Sequence, residues 1–205
     1  MKVLLINGSP KENGNTFLAL SEVARTLNSE NIDTEIISIG KKAVQGCIAC
    51  GMCGRTGKCT FNDDLYYRVL RAVKDGIDAL IVGSPVYYGG PNGSLCALLD
   101  RVFYSLGPLL EYKPGASIVV CRRGGASAAF DRLNKYFTIM NMPLVTSQYW
   151  NMAYGQTPGQ VQQDEEGMQT MRTLAHNMAW MLRKLNTGDG DIPEQEQRLW
   201  TNFIR

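Results

Sequence analysis

Short aliphatic runs alternate along this chain with longer stretches in which apolar residues recur at three- and four-residue spacing. Residues 3–6 are continuously apolar, the pattern of a central parallel strand covered on both faces. Residues 16–27 read as a helix, with Phe17, Leu20, Val23, Ala24 and Leu27 on one face. A second strand is expected over 34–39. After a cysteine-rich loop over 46–59 comes a helix, capped by Asp63 or Asp64, that turns Leu65, Val69, Leu70 and Val73 to the core. The third strand is expected over 79–82, ending at Gly83, Ser84 and Pro85, followed by a loop over 86–93 and a helix from Ser94 to about Tyr104. The fourth, over 116–121, ends at Arg122, Arg123, Gly124 and Gly125. A helix from Ala126 to about Met140 leads to a fifth strand over 144–149. A long helix over 164–185 places Met168, Met171, Leu174, Ala175, Met178 and Leu182 on one face.

Five strands separated by helices define an α/β fold: a doubly wound five-stranded parallel sheet in three α/β/α layers, because parallel neighbours need right-handed crossovers. Residues 1–187 form one domain in this reading, and 188–205 a polar tail. Ligands of such sheets bind beyond the carboxyl ends of the strands, beside the topological switch point. The loops after strands one, three and four then share one rim, and all three are rich in Gly, Ser, Pro, Tyr or Arg.

The bulk properties narrow the function by exclusion. The 205 residues suffice for one well-buried core and are too few for two typical domains. A net charge of +2 is too small a bias to point to nucleic acid or an anionic membrane. No apolar run reaches the roughly 18 residues of a membrane span. Residues 1–6 read as a first strand rather than a signal peptide, so a cytoplasmic protein is expected. The single histidine, His176, excludes a multi-histidine catalytic or metal site.

The first loop runs from Gly8 through Ser9, Pro10, Lys11, Glu12, Asn13 and Gly14 to Asn15 and Thr16, where a helix begins. That context suits a phosphate. Ser9, Asn15 and Thr16 carry hydroxyl and amide donors, Gly14 admits close backbone approach, Lys11 adds charge, and a helix N-terminus offers unpaired N–H groups. The loop is neither a Walker A motif nor Gly-x-Gly-x-x-Gly. An ordinary strand–helix turn capped by Asn15 or Thr16 is the plain alternative. In the third loop, Pro85, Val86, Tyr87, Tyr88 and Gly89 put two adjacent aromatics after a buried strand. These suit a flat ring such as an isoalloxazine, with backbone N–H groups of 86–89 on its polar edge. Packing of one tyrosine on a neighbouring helix is the alternative there. Arg122, Arg123, Gly124 and Gly125 put two guanidinium groups at the same rim, either to meet negative charge on a reduced ring or a nucleotide phosphate, or as a solvated pair.

Taken in order and spacing, Gly-Ser-Pro-Lys-x-x-Gly-Asn-Thr, Ser-Pro-Val-Tyr-Tyr and Arg-Arg-Gly-Gly resemble the NADPH-dependent FMN reductase family of flavodoxin-like proteins, over about residues 1–185. The resemblance implies FMN as cofactor and NAD(P)H as co-substrate. It assigns the FMN phosphate to Ser9, Lys11, Asn13, Gly14, Asn15 and Thr16. The ring falls to Pro85, Val86, Tyr87, Tyr88, Gly89, Arg123, Gly124 and Gly125. It further implies a homodimer or homotetramer with the flavin near a subunit interface.

Cys47, Cys50, Cys53 and Cys59 form a C-x2-C-x2-C-x5-C pattern, with Gly51, Gly54 and Gly57 leaving room for the chain to curl. Three thiolates at this spacing can wrap one face of an iron–sulfur cubane and a fourth completes it. The spacing, and its place after strand two, resemble the iron–sulfur flavoproteins, which implies a [4Fe-4S] cluster. Zinc, a redox disulfide, or a loop without metal remain as alternatives. Cys96 and Cys121 read as packed thiols.

The leading expectation is an FMN-dependent oxidoreductase in which the flavin carries the chemistry and no side chain serves as general acid or base. It takes electrons from a small-molecule donor, or from ferredoxin, and passes them to a quinone, flavin or other small acceptor, with a cluster as a relay. The alternative is an electron carrier docking on partner redox proteins, although such carriers tend to be acidic and this chain is slightly basic. A flavin-binding redox sensor is a third reading.

Overall fold

The computed structural model describes residues 1–61, 63–187, 192–194, 196, 197, 199 and 201, so most of the tail expected over 188–205 lies outside the described residues. The elements in chain order are β1 (Lys2–Asn7), α1 (Asn15–Ser29), β2 (Asp33–Ser38), α2 (Met52–Thr56), α3 (Asp64–Lys74), β3 (Ala79–Tyr87), β4 (Gly90–Pro91), α4 (Gly93–Leu110), β5 (Gly115–Cys121), α5 (Ala126–Thr138), β6 (Met152–Tyr154) and α6 (Glu165–Leu185). A 3-10 turn, Gln160–Gln163, precedes α6.

The sheet order is β2-β1-β3-β5-β6, all parallel, with β4 folded back antiparallel on β3. The order reverses between β1 and β3, where the crossovers change side. Parity along β1 explains the two cores. Leu4 and Ile6 point into the layer built by α3, α4 and α5, while Val3 and Leu5 point into the layer of α1 and α6. Both faces are buried, hence the unbroken apolar run. On α6, Met171, Leu174, Ala175, Met178 and Leu182 are buried against α1, and Asp164 caps the helix by accepting the Gly167 N–H. Asp63 caps α3 in the same way, accepting from the Tyr66 N–H.

Four expectations need correction. The third strand does not stop at Val82 but runs on to Tyr87, because Val86 and Tyr87 pair with Pro91 and Gly90 in a miniature hairpin. The following helix continues past Tyr104 to Leu110. Neither Asn15 nor Thr16 caps α1; the N-cap is Gly14, in extended conformation. The fifth strand does not span 144–149. Leu144 makes one bridge to Gly115, and the chain then leaves the sheet. The Ser147 hydroxyl lies 2.8 Å from Asn151 Oδ1 and 2.6 Å from the Tyr149 carbonyl, folding 146–150 outward and exposing Tyr149 and Trp150. Pairing resumes at Met152, opposite Val119. β-Branched and aromatic residues favour strands, but local side-chain bonds competed successfully with the ladder here.

Candidate active site

Five parallel strands deliver their carboxyl ends to one rim. β1 ends at Asn7, in register with Ser38 of β2 and Gly83 of β3, and the Gly8 N–H donates to the Gly83 carbonyl at 2.7 Å. Pro85 is level with Val120, and Cys121 with Tyr154. The loops after β1, β3 and β5 therefore converge.

The first loop is held by its own polar groups. Asn7 Oδ1 accepts the Ser9 N–H at 3.1 Å, and Ser9 Oγ accepts the Lys11 N–H at 3.2 Å. Ser9 and Thr16 are buried, whereas Lys11 and Asn13 are exposed. Leu18 is the first residue of α1 to bond back, to the Gly14 carbonyl, so the N–H groups of Asn15, Thr16 and Phe17 precede the helical ladder. A Cβ on Gly14 would lie 3.0 Å from Lys11 Cβ and 3.5 Å from Ser9 Oγ, filling the cradle. These features fit a phosphate group: bare donors, a positive helix end and space that a side chain would remove.

The Asn15 side chain does something the sequence did not suggest. Its Nδ2 donates to the Thr157 carbonyl at 2.9 Å and its Oδ1 accepts the Val161 N–H at 3.3 Å, clasping the loop 155–161 against the start of α1. Gly155 permits the approach, since a Cβ there would stand 2.8 Å from Asn15 Nδ2. This fourth rim loop was missed by sequence reasoning. Its Thr-Pro-Gly run marks a turn, but nothing local says which loop it meets.

The third loop is the tip of the β3–β4 hairpin. Tyr88 and Gly89 occupy its two central positions with φ of 50° and 76°, the paired left-handed conformation of a tight hairpin turn. Gly89 adopts it freely; Tyr88 does so under strain and is fully exposed, while Tyr87 is half-exposed. Ser84 anchors the hairpin base, its Oγ accepting the Asn92 N–H at 2.9 Å. The loop after β5 packs directly on this tip. Gly125 has φ of 85°, and a Cβ on it would lie 2.8 Å from Gly89 Cα and 3.1 Å from Val86 Cγ1. Arg122, Arg123 and Gly124 are exposed beside it, and neither arginine forms an ion pair among the described residues. The rim thus brings Gly89 and Gly125 into direct contact, with Tyr87, Tyr88, Arg122 and Arg123 exposed around them, an aromatic and cationic set that suits the chemistry of an isoalloxazine ring. An open groove of about 1210 Å³, lined by Lys11, Gly14, Phe17, Ser38, Lys42 and Arg68 among others, adjoins the loop after β1.

The cysteine loop forms a separate feature. Cys47, Cys50, Cys53 and Cys59 are free thiols that line one largely apolar cavity of about 160 Å³, closed by Phe61, Arg101 and Tyr104. α2 carries Cys53, with Gly51 and Gly57 in left-handed conformation at its two ends. Among the described residues no three His, Cys, Asp or Glu side chains are gathered closely enough to hold a metal ion. The donor chemistry nevertheless suits a cluster, because four thiols face one apolar space and N–H groups point at two of the sulfurs. Ala49 N–H donates to Cys47 Sγ at 3.4 Å, and Arg101 Nε–H to Cys59 Sγ at 3.3 Å. Arg101 was overlooked in the sequence, although a cation at a core position of α4, next to Val102 and Leu98, was a readable signal. Cys96 and Cys121 lie elsewhere, and burial pushes both thiols up, which disfavours the thiolate.

Known structures share this architecture. An archaeal flavodoxin aligns with a TM-score of 0.61 at 17% identity, covering 89% of this chain and 99% of its own. RosB, solved with 8-demethyl-8-formylriboflavin-5'-phosphate bound, aligns with a TM-score of 0.71 at 14% identity, covering 100% of this chain and 94% of that one. At such identities the likeness defines a class, the flavodoxin-like α/β proteins. The sequence profile of the NADPH-dependent FMN reductases matches residues 1–157, and the chain belongs to that family. An iron–sulfur flavoprotein of Methanocaldococcus jannaschii is 35% identical over 191 residues, covering 89% of this chain and 98% of that protein. No helix among the described residues is long and apolar enough to cross a membrane.

Proposed function

We propose that this protein is an FMN-dependent oxidoreductase that accepts electrons from a reduced nicotinamide nucleotide, delivers them to a small acceptor such as a quinone or free flavin, and carries a [4Fe-4S] cluster in its cysteine loop. The observation that carries the flavin reading is the packing of Gly125 on Gly89, joined to the bare helix N-terminus at Asn15–Phe17 on the same rim. The cluster reading is supported by four thiols around one cavity and by the iron–sulfur flavoprotein named above, which matches across nearly its whole length.

Ser9, Thr16 and the first-turn N–H groups of α1 would hold the FMN phosphate, with Lys11 supplying charge. Tyr87, Tyr88 and Gly89 would border the ring, and backbone N–H groups of 86–89 its polar edge. Arg123 would offset negative charge that builds on the ring during reduction. When bound, FMN supplies hydride and single-electron chemistry. The chain itself supplies position and a cationic edge. A cluster in the cysteine loop would be held by Cys47, Cys50, Cys53 and Cys59.

Anaerobic purification with flavin, iron and sulfide analysis tests this reading. One FMN and about four irons per chain are expected, with bleaching of the flavin on adding NADPH or NADH. Reduction only by ferredoxin favours the electron-carrier alternative. A colourless protein that ignores added FMN defeats the proposal.

A further inference from the structure

The cysteine cavity is backed by a cation that is almost completely buried. Arg101, 1% exposed, projects from α4 into the base of the loop. Its Nε–H donates to Cys59 Sγ at 3.3 Å, Nη1 to the Gln45 carbonyl at 3.2 Å, and Nη2 to the Phe61 carbonyl at 3.4 Å and to the Asp63 carboxylate. The guanidinium carbon lies 4.9 Å from the centre of the Tyr66 ring and 5.5 Å from that of Phe61. The Tyr66 hydroxyl in turn accepts the Cys59 N–H at 2.9 Å. Both the sulfur and the backbone of Cys59 are thus fixed by one buried assembly.

Burying a charge this deeply is costly, and an apolar replacement of similar size is often as stable. Packing alone does not explain a guanidinium at this position. An N–H donor aimed at a sulfur does have a known consequence in clusters: hydrogen bonds and nearby positive charge tune the reduction potential. Reduction adds one electron, supplied by an external reductant, and no proton. The extra negative charge spreads onto the ligand sulfurs, so a fixed cation against one of them favours the reduced form.

We propose that Arg101 is a positioning residue that raises the reduction potential of a cluster in this cavity through its N–H···S bond to Cys59, with Asp63 as the counter-charge that limits the effect. The proposal rests on the cluster reading above.

The test loads wild type, Arg101→Gln, Arg101→Lys and Asp63→Asn with ferrous iron and sulfide anaerobically. Each is titrated with dithionite and mediators, and the reduced cluster is followed by electron paramagnetic resonance. Circular dichroism and thermal melting report on the fold. At a fixed potential the reduced-to-oxidised ratio should fall about tenfold in Arg101→Gln, equivalent to about 59 mV for a one-electron couple. It should rise in Asp63→Asn, where the cation loses its counter-charge while the α3 cap is kept. Arg101→Lys, which keeps the charge without the fork, should fall between wild type and Arg101→Gln. A purely structural role would alter iron retention and melting without these opposed shifts.

A cluster in Arg101→Gln at the wild-type potential overturns the role of Arg101 and leaves the cluster reading intact. If Arg101→Gln does not fold, an unchanged potential in Asp63→Asn overturns it equally. Failure of folded wild type to take up iron and sulfide overturns both.

Discussion

Gly125→Ala is the substitution that most directly tests whether two loops distant in sequence build one slot. Gly125 has φ of 85° and ψ of 2°, where an L-residue pays about 1–2 kcal/mol. The new methyl would also sit 2.8 Å from Gly89 Cα, about 0.6 Å short of ordinary contact at 3.4 Å. The neighbour is backbone in a tight turn, so the tip of the β3–β4 hairpin has to move, at roughly 1 kcal/mol or more. The total of about 2–3 kcal/mol corresponds to a melting point lower by about 4–12 °C for a chain of this size. The displaced tip is the part assigned to the flavin ring, so FMN affinity should fall at least about tenfold, or about 1.4 kcal/mol. Gly124→Ala is the internal control for the fold. Nothing lies within 4 Å of its added Cβ and its φ is not left-handed, so the apoprotein should melt within about 2 °C of wild type. Melting of the two apoproteins and FMN fluorescence titration give both numbers. Wild-type melting and FMN affinity in Gly125→Ala, or equal damage to the apoprotein from both alanines, would refute the convergence argument.

Tyr88→Gly removes a strained left-handed residue from an exposed turn; melting should stay level or rise, while kcat/KM for the nicotinamide-dependent reaction falls, and a variant with full activity would remove Tyr88 from the site. Asn15→Ala breaks both bonds to the 155–161 loop, at about 1–3 kcal/mol together, so exchange of the Val161 amide should speed up at least about fivefold; unchanged exchange would show that the clasp does not hold the loop. Glu22 ties α1 to α6, and its carboxyl is held below the usual range chiefly by the Arg25 hydrogen bond, against a burial effect that raises it, with Arg172 lowering it further. A depressed carboxylate stabilises the fold above its unfolded-state value of about 4.3 and loses that contribution as pH falls through the folded value. Glu22→Gln should therefore destabilise by about 0.5–1 kcal/mol at pH 7, with the gap to wild type closing below about pH 4. A gap of equal size at pH 3 would contradict the ion-pair account.

Much of the framework was legible before any coordinates. Apolar runs located β1, β5 and the first half of β3, since strands buried on both faces need no alternation. Methionine and leucine spacing located α6, and an Asp three residues before an unpaired N–H located the start of α3. The polar turn between β1 and α1 was readable because its donors are neighbours in sequence. The segment 144–149 misled because strand-forming residues there are outcompeted by the bonds of Ser147 and the reach of Asn151, which acts from beyond the expected strand. The cysteine spacing was plain, but its partner Arg101 lies on another element, 42 positions from Cys59.

What the sequence alone determined is therefore whatever depends on short-range periodicity and turn chemistry: parallel strands, their helices, the polar turn after β1 and the four-thiol spacing. What tertiary structure decided is which loops touch. Asn15 on Thr157, Gly125 on Gly89 and Arg101 on Cys59 each join residues dozens to more than a hundred positions apart. The physical reason is that side-chain bonds and close backbone approaches act over a few ångströms of space, while the pattern along a chain reports only on its own few neighbours.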